Sequence, residues 1–179
     1  MRNLCKRAFG AWVIGMGLVM SGLAVGATGT GPYYATPSWD QKLTATRFIV
    51  LTDWSSAAVL DRETGLVWEQ SPSTTTDTWY YQSFHCINLN TGGRTGWRLP
   101  TIQELLSIVD RSQSNPALPS GHPFSNVQSY YYWSATTGAL SATFAWTVVF
   151  VDGSVVGVGN SGGGVLAWCV RGGPGVDPQ

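Results

Sequence analysis

The chain has 179 residues, ten basic and ten acidic side chains, and no formal net charge; nine Trp and 22 Gly stand out in its composition. The length suits one domain with a substantial core, and low charge with many aromatics and glycines excludes a disordered chain. The charge balance excludes a nucleic-acid binder, which needs a basic face, and leaves polyanions no overall attraction, so that any such site would require a local cluster of Arg.

Residues 1–27 open with Arg2, Lys6 and Arg7, continue as an apolar run from Ala8 to Val25, and close on the small residues Val25, Gly26 and Ala27. This order is that of a secretory signal peptide cleaved after Ala27. A retained membrane anchor is the alternative, since the run is about long enough to span a bilayer; Gly15, Gly17 and Gly22 weaken it as a helix. Cleavage removes three of the ten basic residues and none of the acidic ones, leaving a net charge near −3. It also removes Cys5, so that Cys86 and Cys169 remain. In an oxidising compartment an isolated pair is most simply one disulfide; a redox pair would be expected to carry C-x-x-C spacing.

Residues 28–46 read as a flexible lead-in, rich in Gly, Pro and Thr. Arg47–Leu51 and Ala58–Leu60 are β-rich, and Gly65–Glu69 resumes a strand after a turn through Asp61–Thr64. A polar loop follows at 71–76, and Thr76 or Asp77 can cap a helix over Thr78–Leu89. In that helix Tyr80, Phe84 and Ile87 recur at i, i+4 and i+7, the expected packing stripe, with Cys86 beside them. The loop 90–96 leads to the most plainly written stretch of the chain. Pro100 pushes Leu99 to extended backbone, Thr101 and Glu104 form a capping box, and Ile102, Leu105, Leu106 and Val109 line one face. The spacing predicts a helix of about ten residues reaching Asp110.

Arg111–Ser129 holds Pro116, Pro119, Gly121 and Pro123 and reads as a long loop, functional or mobile. Strands are expected at Tyr130–Thr136, Phe144–Val151 and Ser154–Gly159, with Asp152-Gly153 as the hairpin signal, and at Val165–Arg171. A Gly/Pro-rich tail, 172–179, reads as disordered. Two helices flanked by strands are not the alternation of a parallel sheet, so the fold class is α+β.

Five motifs then occur in a fixed order: Asp61-Arg62-Glu63-Thr64-Gly65-Leu66-Val67-Trp68; Trp79 with Cys86; Trp97-Arg98-Leu99-Pro100-Thr101 with Glu104-Leu105; Tyr132-Trp133-Ser134-Ala135-Thr136; and Cys169-Val170-Arg171. Together they resemble the Lcl C-terminal domain family of bacterial exported proteins, over Arg47–Arg171. The resemblance implies a C-type lectin-like fold over 47–171, two short helices on small antiparallel sheets, and a disulfide joining the first helix to the last strand, where Cys86 and Cys169 stand. It implies binding or adhesion, at the periplasm, the cell surface or outside the cell, with structural roles for Asp61, Gly65, Trp68, Trp97, Arg98, Pro100, Glu104, Trp133 and Arg171.

Candidate chemistry is sparse. Gly159-Asn160-Ser161-Gly162-Gly163 satisfies G-x-S-x-G, and His85, Asp110 and Ser161 occur in the order of a chymotrypsin-like triad. The short spacing, the helical setting of His85 and the β pattern after Ser161 favour a glycine-rich connection instead. Two histidines, His85 and His122, without H-E-x-x-H or clustered cysteines, offer no metal site, and His122 reads as solvated in its Pro-flanked loop. The E-P-N or Q-P-D and W-N-D patterns of calcium-dependent C-type lectins do not occur, so no cofactor is expected. Arg98 reads as a structural guanidinium paired with Glu104 or Asp61 and stacked on an indole, or as a ligand grip; Arg171 reads the same way. The 130–133 aromatic run divides between core and exposed platform. The leading expectation is a non-enzymatic exported module that binds a glycan or a surface protein, after signal cleavage free of the membrane, through the 111–130 loop and the 153–164 turn region, with Tyr130, Tyr131 and Asn160 as contact residues. A structural or assembly subunit, homo-oligomeric in one version, is the alternative, and a serine hydrolase a remote one.

Overall fold

The computed structural model describes residues 46–139 and 141–173. The expected signal peptide, all but the last residue of the lead-in and most of the tail lie outside the described residues. Twelve short elements follow one another: β1 (Phe48–Val50), a 3-10 turn (Thr52–Trp54), β2 (Ala58–Asp61), β3 (Val67–Glu69), α1 (Trp79–Asn88), a second 3-10 turn (Thr91–Gly93), β4 (Trp97–Arg98), α2 (Ile102–Ser107), β5 (Tyr131–Gly138), β6 (Ser141–Val149), β7 (Ser154–Gly159) and β8 (Val170–Arg171). They make an α+β domain with two antiparallel sheets, one in the order β1-β2-β3-β8-β4 and the other the meander β5-β6-β7. Among the described residues no helix is long and apolar enough to cross a membrane.

The last strand is inserted into the first sheet between β3 and β4. Val170 pairs with Trp68 and Arg98, and Arg171 with Val67 and Trp97, so the opening hairpin and the Trp97-Arg98 motif meet only through β8. Just upstream, Leu166 bridges to Tyr132 of β5 and Val165 to Asp77. The segment expected as one strand, 165–171, therefore serves both sheets in turn. Ala167, Trp168 and Cys169 cross between them fully buried.

Trp168 is the hub of the core. Its indole meets Trp68, Phe124, Tyr132 and Phe150 at centroid separations of 5.7, 4.9, 5.8 and 5.5 Å, edge-on or tilted as the ring quadrupoles favour. A second apolar cluster gathers Trp97, Leu99, Trp133 and Ala145 around the disulfide. Cys86 and Cys169 are bonded, with Cα atoms 5.5 Å apart, and close a loop of 83 residues.

The capping box is present: Thr101 accepts from the Glu104 N–H, and Glu104 accepts from the Thr101 N–H. The helix it starts is shorter than expected, six residues rather than about ten. The chain turns at Ile108, where Val109 N–H donates to the Leu106 carbonyl and Asp110 N–H to Ala117. Ile102, Leu105 and Ile108 are therefore the buried set, while Leu106 and Val109 pack at the margin. The Asp152-Gly153 signal also resolves differently. β6 ends at Val149, and residues 150–153 make a four-residue turn closed by Gly153 N–H on the Val149 carbonyl, because Phe150 is diverted into the core. Gly153 takes φ 75°, a conformation glycine adopts without steric cost.

α1 departs most from expectation. Its N-cap is Thr78, which accepts from Tyr81 N–H, and not Thr76 or Asp77. Its packed residues are Gln82 and Cys86, fully buried, with Trp79 and Leu89 half-buried. The stripe expected to pack is turned to solvent: Tyr80, Phe84 and Ile87 are 67%, 57% and 64% exposed. The disulfide sets this rotation, since Cys86 must meet Cys169 beneath the helix, which carries the residues at i−4 and i−7 inward. Trp79 Nε1 donates to the Ser134 carbonyl, and Gln82 Nε2 to the carbonyls of Thr75 and Val165.

Candidate functional site

An open groove of about 560 Å³ lies where the 71–78 segment passes the end of the long loop; Thr74, Thr76, Val127, Gln128, Ser129, Tyr130 and Leu166 line it. Each wall is fixed from behind. On one side Gln82 holds the Thr75 carbonyl, and Asp77 pairs with Val165. On the other, the long loop is zipped to the 70–71 segment: Gln70 Nε2 donates to the Pro123 carbonyl, Ser125 N–H to the Gln70 carbonyl, and Asn126 Nδ2 to the Ser71 hydroxyl. Gln128 N–H donates to the hydroxyl of Tyr132, whose ring is in the core. Burial pushes that phenol up to about 12, so it stays protonated. Phe150 N–H donates to the Tyr130 carbonyl and sets the backbone at the groove's aromatic end.

The lining chemistry is uncharged. Three hydroxyl-bearing side chains besides the phenol, one amide and two aliphatic groups offer neutral donors and acceptors beside an aromatic ring, the mixture that suits a neutral polyhydroxyl or peptide ligand. Tyr130 is exposed and stands edge-on to Tyr131 at 5.3 Å. Of the three expected contact residues, the structure places Tyr130 in the groove, Tyr131 half-buried behind it, and Asn160 elsewhere. Asn160 donates from Nδ2 to the Ala142 carbonyl, its N–H goes to Thr143, and its carbonyl receives Trp79 N–H; it ties the end of β7 to the start of α1. The expected 153–164 turn region supplies no lining residue, and the 111–130 loop supplies only its last four. Thr74 and Thr76, read in the sequence as plain polar loop, complete the groove.

Asp61 is fully buried under Arg47, which donates from Nε and Nη2 at 3.0 and 2.8 Å. Arg98 therefore pairs with Glu104, both contacts at 2.7 Å, and gives a further bond to the Gly172 carbonyl. The indole stacking expected at Arg98 appears at Arg94 and Arg171, both over Trp54. Arg171 also donates to the Thr95 carbonyl, Trp133 to that of Asp77 and Trp97 to that of Arg94. The Pro100 carbonyl receives Ala135 N–H, and Gly65 turns the opening hairpin at φ 72°. Trp68 is buried with its Nε1 unpartnered.

Glu69, which the sequence reading did not single out, is 5% exposed and lies beside the disulfide, accepting from Cys169 N–H at 2.9 Å. Burial pushes its carboxyl up to about 7, against the lowering effect of that bond. Ligand atoms of Glu69, His85 and Cys169 come within 4.8 Å of one another. With the Cys169 sulfur spent in the disulfide, one carboxylate and one imidazole remain, short of the three or four protein ligands a zinc site uses. His122 is half-buried rather than fully solvated: it lies against the Phe124 ring at 5.9 Å with Nδ1 buried and unpartnered, and burial lowers its pKa.

The residues of the triad motif have other company. Asp110 accepts from the Ser112 N–H and hydroxyl. Ser161 sits on a turn after β7 that leads to the bridges at Val165 and Leu166, with no helix behind it, so the strand-to-helix elbow that exposes such a nucleophile is not built. Among curated proteins none matches this chain. The family model of the Lcl C-terminal domain matches residues 57–171, a span from β2 through β8 that includes all five ordered motifs, and the chain belongs to that family.

Proposed function

We propose that the chain is a non-enzymatic, exported binding module of C-type lectin-like fold that holds an uncharged glycan in the groove beside Tyr130. The observation that carries this reading is the groove itself: a rigidly backed concavity lined by hydroxyls, an amide, a tyrosine ring and two aliphatic side chains, and by no charge. Sugars present hydroxyl edges and apolar C–H faces together, so they are met by that combination of hydrogen bonders and aromatic face. The order of residues 1–27, like that of a signal peptide, and a disulfide in the core support export to the periplasm, the surface or the medium. A polypeptide is the second class of ligand the lining accommodates.

The folded domain applied to an array of neutral glycans tests the proposal. Binding is expected, with Tyr130→Ala weakening it about tenfold, as removal of one aromatic contact does. An array that retains nothing, or a Tyr130→Ala protein that binds as well as the wild type, contradicts it. The hydrolase alternative predicts a fluorophosphonate adduct at Ser161, whereas the present reading predicts none.

A further inference from the structure

Half of the large hydrophobic side chains exposed among the described residues lie together on α1: Tyr80, Tyr81, Phe84 and Ile87, at 57–67% exposure. The remaining four, Ile49, Tyr130, Val151 and Val156, are spread over β1, the two loops and β7. Scattered apolar residues are normal, but a contiguous apolar face on one helix marks an interaction surface. The side chains are not there to hold the helix, because Gln82, Cys86, Trp79 and Leu89 do that from the opposite side.

We propose that this face is a dimer interface, its partner the same face of a second copy of this chain. Three properties of the surface favour a second copy. First, the ten residues of α1 contain no Asp, Glu, Lys or Arg, so bringing the face against itself juxtaposes no like charges; a lipid surface would be met by Lys or Arg flanking the apolar stripe. Second, Tyr80, Phe84 and Ile87 form a ridge at i, i+4 and i+7, the row that interdigitates with its own copy across a twofold axis, with Phe84 near the middle of the helix. Third, a covered aromatic side chain buries roughly 150–250 Å², so the three aromatic groups at these exposures, with the smaller share of Ile87, bury roughly 450 Å² per copy and about 900 Å² per pair, close to where specific interfaces begin. Tyr80 and Tyr81 already stand edge-on at 5.7 Å and are the residues that can carry polar tips to the rim of such a contact. This proposal does not depend on what the groove binds.

Sedimentation equilibrium of the exported chain, disulfide intact, tests it with four proteins. Wild type should self-associate to twice the chain mass, with a Kd of about micromolar for an interface of this size. Phe84→Asp and Phe84→Lys should each weaken self-association more than tenfold, since each places like charges together at the axis, and mixing the two should restore a dimer. Tyr130→Ala should dimerise like wild type, which separates this face from the groove. A wild type that stays monomeric at its highest soluble concentration, a Phe84→Asp protein that sediments as wild type does, or a mixture that remains monomeric would each overturn the proposal. So would a monomeric wild type that co-sediments with neutral phospholipid vesicles, which would make the occupant a bilayer.

Discussion

The two helices obey the same periodicity and face opposite ways. α2 turns Ile102, Leu105 and Ile108 into the core, where its capping box and the Arg98–Glu104 pair fix its start. α1 carries an equally regular apolar stripe and turns it to solvent, resting on the core through an amide, a disulfide and the edge of an indole. Periodicity thus shows that a face is apolar without showing what covers it. The direction is set by whatever anchors the helix, here the Cys86–Cys169 bond.

That contrast is broken most directly by removing the anchor. Replacing both cysteines by Ser frees α1 and reopens an 83-residue loop, a loss of about 4.5 kcal/mol by the chain-entropy relation, to be read from urea unfolding. A protein as stable as the wild type would mean that Gln82, Trp79 and Leu89 hold α1 without the covalent anchor. On α2 the side chains themselves hold the helix, so Leu105→Ala should cost about 3 kcal/mol in the same assay, against no more than a few tenths for Ile87→Ala on α1.

The seam beneath α1 should also make stability depend on pH. Glu69 titrates from 4.5 in a free chain to about 7 in the fold. Between those values the folded protein keeps a proton that the unfolded one has released, so stability falls as pH rises across that window and levels off above it. The size is roughly 3 kcal/mol. Glu69→Gln keeps an acceptor for Cys169 N–H without the ionisation, so its Tm should rise above that of wild type at pH above about 7, while the two proteins converge near the lower end of the window. Identical pH profiles would show that the Glu69 carboxyl is not desolvated.

Most of the framework was legible in the sequence because it is local or covalent. The capping box at Thr101 and Glu104, the Cys86–Cys169 pair and the strand runs around them depend on neighbours in the chain or on a single bond. The rotation of α1 was legible in principle: with Cys86 placed under the helix, Trp79, Gln82 and Leu89 follow it inward, and Tyr80, Phe84 and Ile87 are driven out. The groove was not, because it exists only where Thr74 and Thr76 meet 127–130 across a gap of some fifty residues in the chain, joined by bonds such as Gln70 to Pro123 that no periodicity encodes. Asn160 is bound instead to Ala142 and Trp79, partners outside its own turn.

The central claim is that α1 is held by its inward polar and covalent contacts while its aromatic face remains free for recognition. Urea unfolding of Gln82→Ala beside Phe84→Ala, below the concentration range of self-association, tests it most directly. The account predicts that Gln82→Ala loses about 2 kcal/mol, because the Thr75 carbonyl loses its donor and the buried Val165 carbonyl is left with Asp77 N–H alone, and that Phe84→Ala stays within about 0.5 kcal/mol of wild type. A large loss at Phe84 with none at Gln82 would contradict it.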